Sequence, residues 1–211
     1  MQWTLVIPLK PLVRAKSRLA PTAGDALRPG LALAFAQDTV AAAGACTAVR
    51  DVVVVTDDVR AERELAALGA RVVPDSPQAG LNAALAHGAA CARALRPAAP
   101  LAALNADLPA LRPLELARVL ATATVFPRAF LPDAAGIGTT LLSAAPGAEL
   151  LPAFGTASRA RHTASGAVEL PLDGVGSVRQ DVDTGDDLRT ALALGVGPYT
   201  ARAAAGLLIP D

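Results

Sequence analysis

The amino-acid sequence predicts an α/β protein: a single domain over residues 1–211, with one open mixed, mostly parallel sheet flanked by helices. Three observations lead there. "DVVVVT" (51–56) is an unbroken β-branched run, the pattern of a strand buried on both faces of a parallel sheet. Leu81, Leu85, Gly88, Ala92 and Leu95 recur at alternating spacings of four and three, which gathers them on one face of a helix. Strand-like runs also alternate with helical stretches along the chain, the order that produces right-handed crossovers in an open sheet. With 211 residues and 53% hydrophobic content, there is enough apolar material for one core.

The elements follow in order. "WTLVIPL" (3–9) reads as the first strand and "DVVVVT" as the second, with shorter ones at "RVVP" (71–74) and "LAALN" (101–105). From about 124 to 172 the apolar runs "TVFP", "TTLLS" and "AVELPL" are interrupted by Gly and Pro, and predict mixed or antiparallel strands at one end of the sheet. A second amphipathic helix runs through Leu188, Ala191, Leu192 and Gly195. Ligands of such sheets bind beyond the carboxyl ends of the strands, which singles out loops 10–26, 74–82, 105–112 and 181–187.

Composition excludes several classes. Net charge is zero at pH 7 and aromatics are 3% of residues, so neither a nucleic-acid footprint nor an anionic membrane surface is indicated. No run approaches the roughly 20 apolar residues of a membrane helix. Cys46 and Cys91 are far apart and form no CxxC pair, and the N-terminus lacks the pattern of a signal peptide. The expectation is a cytoplasmic protein with reduced thiols. G-x-S-x-G, H-E-x-x-H and a P-loop are absent, and His87 and His162 are the only histidines. With no evident general base, a nucleophile that is already ionised, such as a phosphate oxygen, suits the chain best.

Candidate chemistry starts in "PLKPLVRAKSRL" (8–19), which carries Lys10, Arg14, Lys16 and Arg18 and no acid. The two lysines of the chain both lie here, and every other cation is Arg. A lysine is a compact point charge, suited to wrapping a polyphosphate; an exposed basic loop would use the same letters. "LNADLPAL" places Asp107 beyond a strand, and "VRQDVDTGDDL" places Asp181 and Asp183 before a helix. Side chains two apart in extended backbone share a side, so this pair can offer oxygen ligands to Mg²⁺. Helix capping is the competing account, with Asp183 or Thr184 as N-cap and Asp186 and Asp187 in the first turn. Asp57 and Asp58 read as a turn and helix start.

"AAGIGTTLL" (134–142) joins two glycines to Thr139 and Thr140, either an anion-binding backbone or a turn feeding a strand. In "FGTASRARH" (154–162), Ser158 reads as an N-cap beside Arg159 and Arg161, again an anion site or a solvated basic helix. Asn82 in "PQAGLNAAL" reads either as a ligand for a nucleobase edge or as a helix cap.

Six blocks in order, "PLKPLVRAKSRL", "GLNAAL", "NADLPAL", "DAAGIGTTLL", "FGTASRARH" and "VRQDVDTGDDL", resemble the phosphoenolpyruvate or 2-phospho-L-lactate guanylyltransferases of coenzyme F420 biosynthesis. The resemblance implies a nucleotidyltransferase fold of the glycosyltransferase-A type and transfer of GMP from GTP to a phosphorylated three-carbon acid. It implies Mg²⁺ on Asp107, Asp181 and Asp183, and the acid on Thr140, Gly155 and Ser158. Lys10, Arg14, Lys16 and Arg18 would then neutralise the triphosphate, with Lys10, Lys16, Arg18 and Asp107 acting in catalysis. It further implies an enzyme partner that takes over a labile product. Related nucleotidyltransferases carry a glycine-rich first loop ending in Lys; no glycine lies between Val6 and Leu19 here. A molybdopterin or sugar phosphate as acceptor, or a catalytically silent nucleotide-binding module, are the alternatives in other classes.

Overall fold

Strand and helix alternate as the sequence predicts, and among the described residues seven strands join one sheet. The structure, a computed structural model, describes residues 2–76, 78–205 and 207. Pro77, in the loop expected near a nucleobase, lies outside the described residues, as do residues 1, 206 and 208–211. The strands are β1 (Trp3–Pro8), β2 (Val49–Val55), β3 (Arg71–Val73), β4 (Leu101–Leu104), β5 (Arg128–Pro132), β6 (Thr139–Ala144) and β7 (Val168–Glu169). Their spatial order is β3-β2-β1-β4-β6-β5-β7. β1 pairs in parallel with β2 and β4, β2 with β3, and β5 with β7, whereas β6 runs antiparallel to β4 and β5.

The helices are α1 (Ala20–Ala45), α2 (Val59–Ala66), α3 (Leu81–Leu95), α4 (Pro113–Ala123), α5 (Ser158–Ala164), α6 (Gly176–Arg179), α7 (Gly185–Leu194) and α8 (Pro198–Ala204). Strand alternation divides the core between the two faces of the sheet. Leu5, Ile7, Val52 and Val54 pack with Ala32, Ala36, Val40 and Ala43 of α1 on one face. Val6, Val53 and Val55 pack with Ala84, Leu85, Ala89 and Ala92 of α3 on the other. Both faces are covered, so β4 is apolar at every position and wholly buried. A third cluster joins the far side of α1, at Leu31 and Phe35, to Leu188 and Ala191 of α7.

The alanine-rich helices let backbone approach backbone. A Cβ on Gly88 would stand 2.6 Å from both Val55 Cγ2 and Val6 Cγ1, so only glycine allows α3 to sit this low on the sheet. The buried face of α3 is centred on Ala84, Leu85, Gly88, Ala89 and Ala92, and Leu95, expected on that face, is 41% exposed. "TVFP" (124–127) is not the strand it resembles. Pro113 starts α4, which runs through Ala123; Thr124 follows as its C-cap, and the strand begins at Arg128. Asp58 does start a helix, its carboxylate accepting the Ala61 N–H of α2.

The chain leaves β1 for β2 on one side and enters β4 on the other, so the carboxyl end of β1 lies at a switch in strand order. Crevices at such points receive ligands in open α/β sheets. A cleft of about 620 Å³ opens there, lined by the loops after β1 and β4, by the turn before β6 and by residues 154–158.

Candidate active site

The loop that follows β1 is anchored at both ends and charged between. Two single 3₁₀ turns, Leu12–Arg14 and Ser17–Leu19, bury Leu12 and Leu19 and leave Arg14 and Arg18 exposed. Asp58 accepts the Leu12 N–H at 2.9 Å while its other oxygen caps α2. Arg28 of α1 donates through Nη1 to the carbonyls of Val13, at 3.1 Å, and Ala15. Between these anchors Lys16 adopts a left-handed backbone, φ 56°, a conformation costly for a non-glycine residue. Its ammonium points down into the cleft, onto Asp107 Oδ2 and, at 2.8 Å, Asp183 Oδ1.

Asp107 stands just past β4 in a loop fastened to α1. Thr39 accepts the Leu108 N–H at 3.0 Å and donates to Phe35 and Ala106 carbonyls. The Val182 N–H reaches the Asp107 carbonyl at 3.1 Å, which draws the 181–183 segment alongside. Val182 is fully buried while Asp181 and Asp183 line the cleft, so the predicted alternation holds. Thr184 is the N-cap of α7, in a capping box with Asp187. Asp183 is therefore not a cap and is left to the cleft.

The electrostatics of the cluster are unbalanced. Burial would lower the Lys16 pKa, but Asp107 and Asp183 outweigh it and raise it. Burial would raise Asp183; the charge and hydrogen bond of Lys16, with Arg18 and Lys10 beyond, outweigh it and hold this carboxyl below its usual range. Asp181 is pushed up to about 8 by burial and by the charges of Asp107 and Asp183, which Lys16 only partly offsets. Asp181 also accepts from Asn105 Nδ2 at 3.3 Å. The buried Oδ1 of Asp107 has no hydrogen-bond partner. An orphaned carboxylate oxygen, with three carboxyl groups gathered around one ammonium, suits a cation. Among the described residues no three acidic, His or Cys side chains stand at the spacing of a closed metal cage. Mg²⁺ ordinarily takes one or two carboxylates and fills its remaining positions with phosphate oxygens and water, so an open set fits it. The expected trio is thus an open cluster shared with Lys16 rather than a preformed three-carboxylate cage.

The other flank of the cleft is built from residues 154–158. Gly155, at φ 109°, and Ala157, at φ 53°, turn the chain sharply, and the Ser158 N–H closes on the Gly155 carbonyl at 3.1 Å. A conformation near φ 109° is accessible to glycine alone without strain. Ser158 is buried and is the first residue of α5; Ala157 occupies the N-cap position expected for it. Behind this loop lies His162, fully buried between Phe130 and Phe154, their ring centroids 5.8 and 5.0 Å from its own. Its Nε2 accepts the Ala153 N–H at 3.0 Å. That assigns the ring proton to Nδ1, which donates to Thr139 Oγ1 at 3.0 Å. Burial and the charges of Arg128 and Arg161 lower its pKa to about 4, so it is a neutral brace at neutral pH.

Of the residues expected to bind ligands, Lys10, Arg14, Lys16, Arg18, Asp107, Asp181, Asp183, Gly155 and Ser158 line this one cleft. Two do not. Thr140 is fully buried and lies outside the lining, and the lining threonine is Thr139, which pairs with Pro132 where the β5–β6 register shifts. Asn82 is neither helix cap nor free amide. Gly80 caps α3, both ends of the Asn82 carboxamide are bound to the backbone of Phe154, and Asn82 is not among the residues lining the cleft.

The "AAGIGTTLL" glycines serve a turn. Asp133 accepts the N–H groups of Ile137 at 3.0 Å and Gly138 at 2.8 Å, and a Cβ on Gly138 would collide with that carboxylate. Asp133 lines the cleft and was missed from sequence; its signal is an Asx-type turn four and five residues before its partners. The α5 arginines are both engaged within the fold. Arg159 forks onto Glu169 at 2.8 and 2.9 Å, and Arg161 donates to the Phe154 carbonyl at 2.9 Å. No helix among the described residues is long and apolar enough to cross a membrane.

Comparison with known proteins agrees with this arrangement. The family model described as guanylyl transferase CofC like matches residues 3–200. The phosphoenolpyruvate guanylyltransferase of Streptomyces coelicolor is 79% identical over 209 residues, covering 99% of both chains. That of Thermomonospora curvata is 62% identical over 205 residues, 97% of this chain and 90% of its own. A nucleotidyl transferase from Methanothermobacter thermautotroptrophicus superposes with a TM-score of 0.60 at 21% identity, covering 92% of this chain and 97% of that one, which shows a shared fold. The chain belongs to the CofC-like guanylyl transferase family.

Proposed function

We propose that the chain transfers the guanylyl group of GTP to the phosphate of phosphoenolpyruvate, in the route to coenzyme F420, with release of pyrophosphate. The observation that carries this reading is the division of one cleft into two flanks. Lys10, Arg14, Lys16 and Arg18 meet Asp107, Asp181 and Asp183 on one, and Gly155 and Ser158 line the other. The acceptor follows from relatives named for phosphoenolpyruvate at up to 79% identity.

In this reading a phosphate oxygen of the acid attacks the α-phosphorus of GTP. The bond from that phosphorus to the oxygen bridging to the β-phosphate breaks, and its electron pair leaves with pyrophosphate. The nucleophile is ionised already, so no side chain need remove a proton. Asp107, Asp181 and Asp183 would hold Mg²⁺, which supplies positive charge shared between carboxylate and phosphate oxygens. The first-loop cations sit where charge grows on the departing pyrophosphate, and catalysis rests on positioning and charge stabilisation. Gly155 and Ser158 would hold the acid. The product, an enol ester joined through a diphosphate to guanosine, is labile, which favours an enzyme partner that receives it directly.

A pyrophosphate-release assay tests this. GTP with phosphoenolpyruvate should release pyrophosphate, and chelation of divalent metal should stop it. Release only with 2-phospho-L-lactate would change the acceptor, and release only with a sugar phosphate would reassign the enzyme. Nucleotide binding with no release under any condition would leave a silent binding module.

A further inference from the structure

Asn82 stands at the start of α3, outside the cleft wall, and its carboxamide makes both of its bonds to a single residue. Oδ1 accepts the Phe154 N–H at 2.7 Å and Nδ2 donates to the Phe154 carbonyl at 3.1 Å. It pairs with Phe154 as a neighbouring strand would, across 72 residues of sequence. Phe154 is buried, its ring set edge-on to His162, and the next residue, Gly155, opens directly into the cleft. Arg161 meets the same Phe154 carbonyl at 2.9 Å, and a Cβ on Gly155 would lie 3.1 Å from that guanidinium. Among the described residues, Asn82 alone brings a hydrogen bond to Phe154 from outside the 153–162 segment.

We propose that Asn82 is a positioning residue for the acceptor flank: it fixes the height of Phe154, and thereby the placement of Gly155 and Ser158 against the phosphorylated acid. This rests on the reading of residues 154–158 as the acid-binding flank. The geometry sets it apart from a nucleobase reader: Asn82 does not line the cleft, and its carboxamide is held at both ends by the backbone of Phe154, so it acts on the loop rather than on a base edge. Loops that bind anions through backbone depend on such support, since a displacement of about 1 Å is enough to lose much of the rate.

Asn82→Asp is the sharpest test, because it keeps the shape and sets a carboxylate oxygen against the Phe154 carbonyl in place of a donor. The KM for phosphoenolpyruvate should rise by about 10- to 100-fold, while the KM for GTP and the preference for GTP over ATP stay within about twofold. Asn82→Ala, which removes both bonds, should shift the same constant in the same direction. Backbone amide exchange over 153–158 should accelerate in both variants, with residues 10–19 unchanged. A shift in GTP affinity or base preference with the acid unaffected would overturn the proposal in favour of base reading. Lower thermal stability with both KM values unchanged would overturn it as well, reducing Asn82 to a structural bond. Wild-type chain that fails to bind phosphoenolpyruvate at all would instead bring down the acceptor assignment itself, and the positioning role with it.

Discussion

The two flanks of the cleft are held by opposite means. The first loop, residues 10–19, has Lys10, Arg14 and Arg18 exposed and Lys16 in a left-handed backbone, with its ammonium lodged between two aspartates. The 154–158 loop carries no charged side chain and is backed mainly by neutral groups, the half-buried Asn82 and the buried His162 and Phe154 rings, with Arg161 the one cation that meets it, at the Phe154 carbonyl. Charge on one flank can be regrouped when a polyanion arrives, because ammonium and carboxylate can exchange partners. Neutral hydrogen bonds in a dry pocket cannot regroup without leaving a buried group unpaired. The charged flank, proposed to take the nucleotide, is therefore built to respond to charge, and the opposite flank, proposed to take the acid, to keep its shape.

The greatest loss should come from breaking the charged flank. Asp183→Asn preserves shape and removes one carboxylate charge from the cluster. Turnover should fall by at least about 10³-fold, roughly 4 kcal/mol in barrier, with the melting temperature nearly unchanged because α7 keeps Thr184 as its cap. Turnover within tenfold of wild type would remove Asp183 from the metal site.

The second prediction breaks the neutral flank through pH. His162 is neutral in the folded chain, with a pKa of about 4 against about 6.5 unfolded. Between these values the unfolded state binds the extra proton, so stability is present above pH 6.5 and falls as pH drops toward 4. The loss is on the order of 3 kcal/mol, since each pH unit separating the two pKa values contributes about 1.4 kcal/mol. Urea unfolding of wild type and His162→Phe across pH 4 to 7.5 separates this from the titrating carboxylates. The stability difference between the two proteins should narrow in acid, and a constant difference would exclude His162 as the source.

A third variant probes the contrast from the nucleotide side. Lys16→Ala should slow single-turnover chemistry at saturating GTP on the order of 10²-fold, as loss of one charge-stabilising donor does elsewhere. It should leave the affinity for phosphoenolpyruvate nearly unchanged. Lys16→Arg should rescue only in part, because a planar fork is a poor substitute for an ammonium lodged between two carboxylates. An unchanged rate in Lys16→Ala would return the loop to an ordinary exposed basic segment.

The mildest change lies on the opposite flank. Ser158→Ala should raise the KM for the acid by roughly tenfold, an energy near 1.4 kcal/mol, and leave that for GTP alone. Equal effects on both substrates would show that this buried hydroxyl shapes the whole cleft.

Much of the fold is legible in the sequence. The β-branched run of β2, the wholly apolar β4 and the helical spacing of α3 each depend on neighbours within a few residues, and periodicity reports those. The lysines of the first loop and the Asp-x-Asp before α7 were legible for the same reason, since side-chain alternation is a local property. The strand in the 124–132 region was misplaced because "TVFP" and "RAFLP" are both short apolar runs ending in proline, and only the packed length of α4 chooses between them.

Read alone, the sequence establishes which segments become strands and helices, where cations and carboxylates gather, and which family the chain resembles. What each polar group pairs with was settled only in the folded chain. Lys16 meets Asp107 and Asp183 across 91 and 167 residues, Asn82 meets Phe154 across 72, and Thr139 rather than Thr140 lines the cleft. The cause is range. Backbone conformation answers to the next few side chains, whereas a buried polar group must take whichever partner the finished fold brings within about 3 Å, and local sequence holds no record of which one that is.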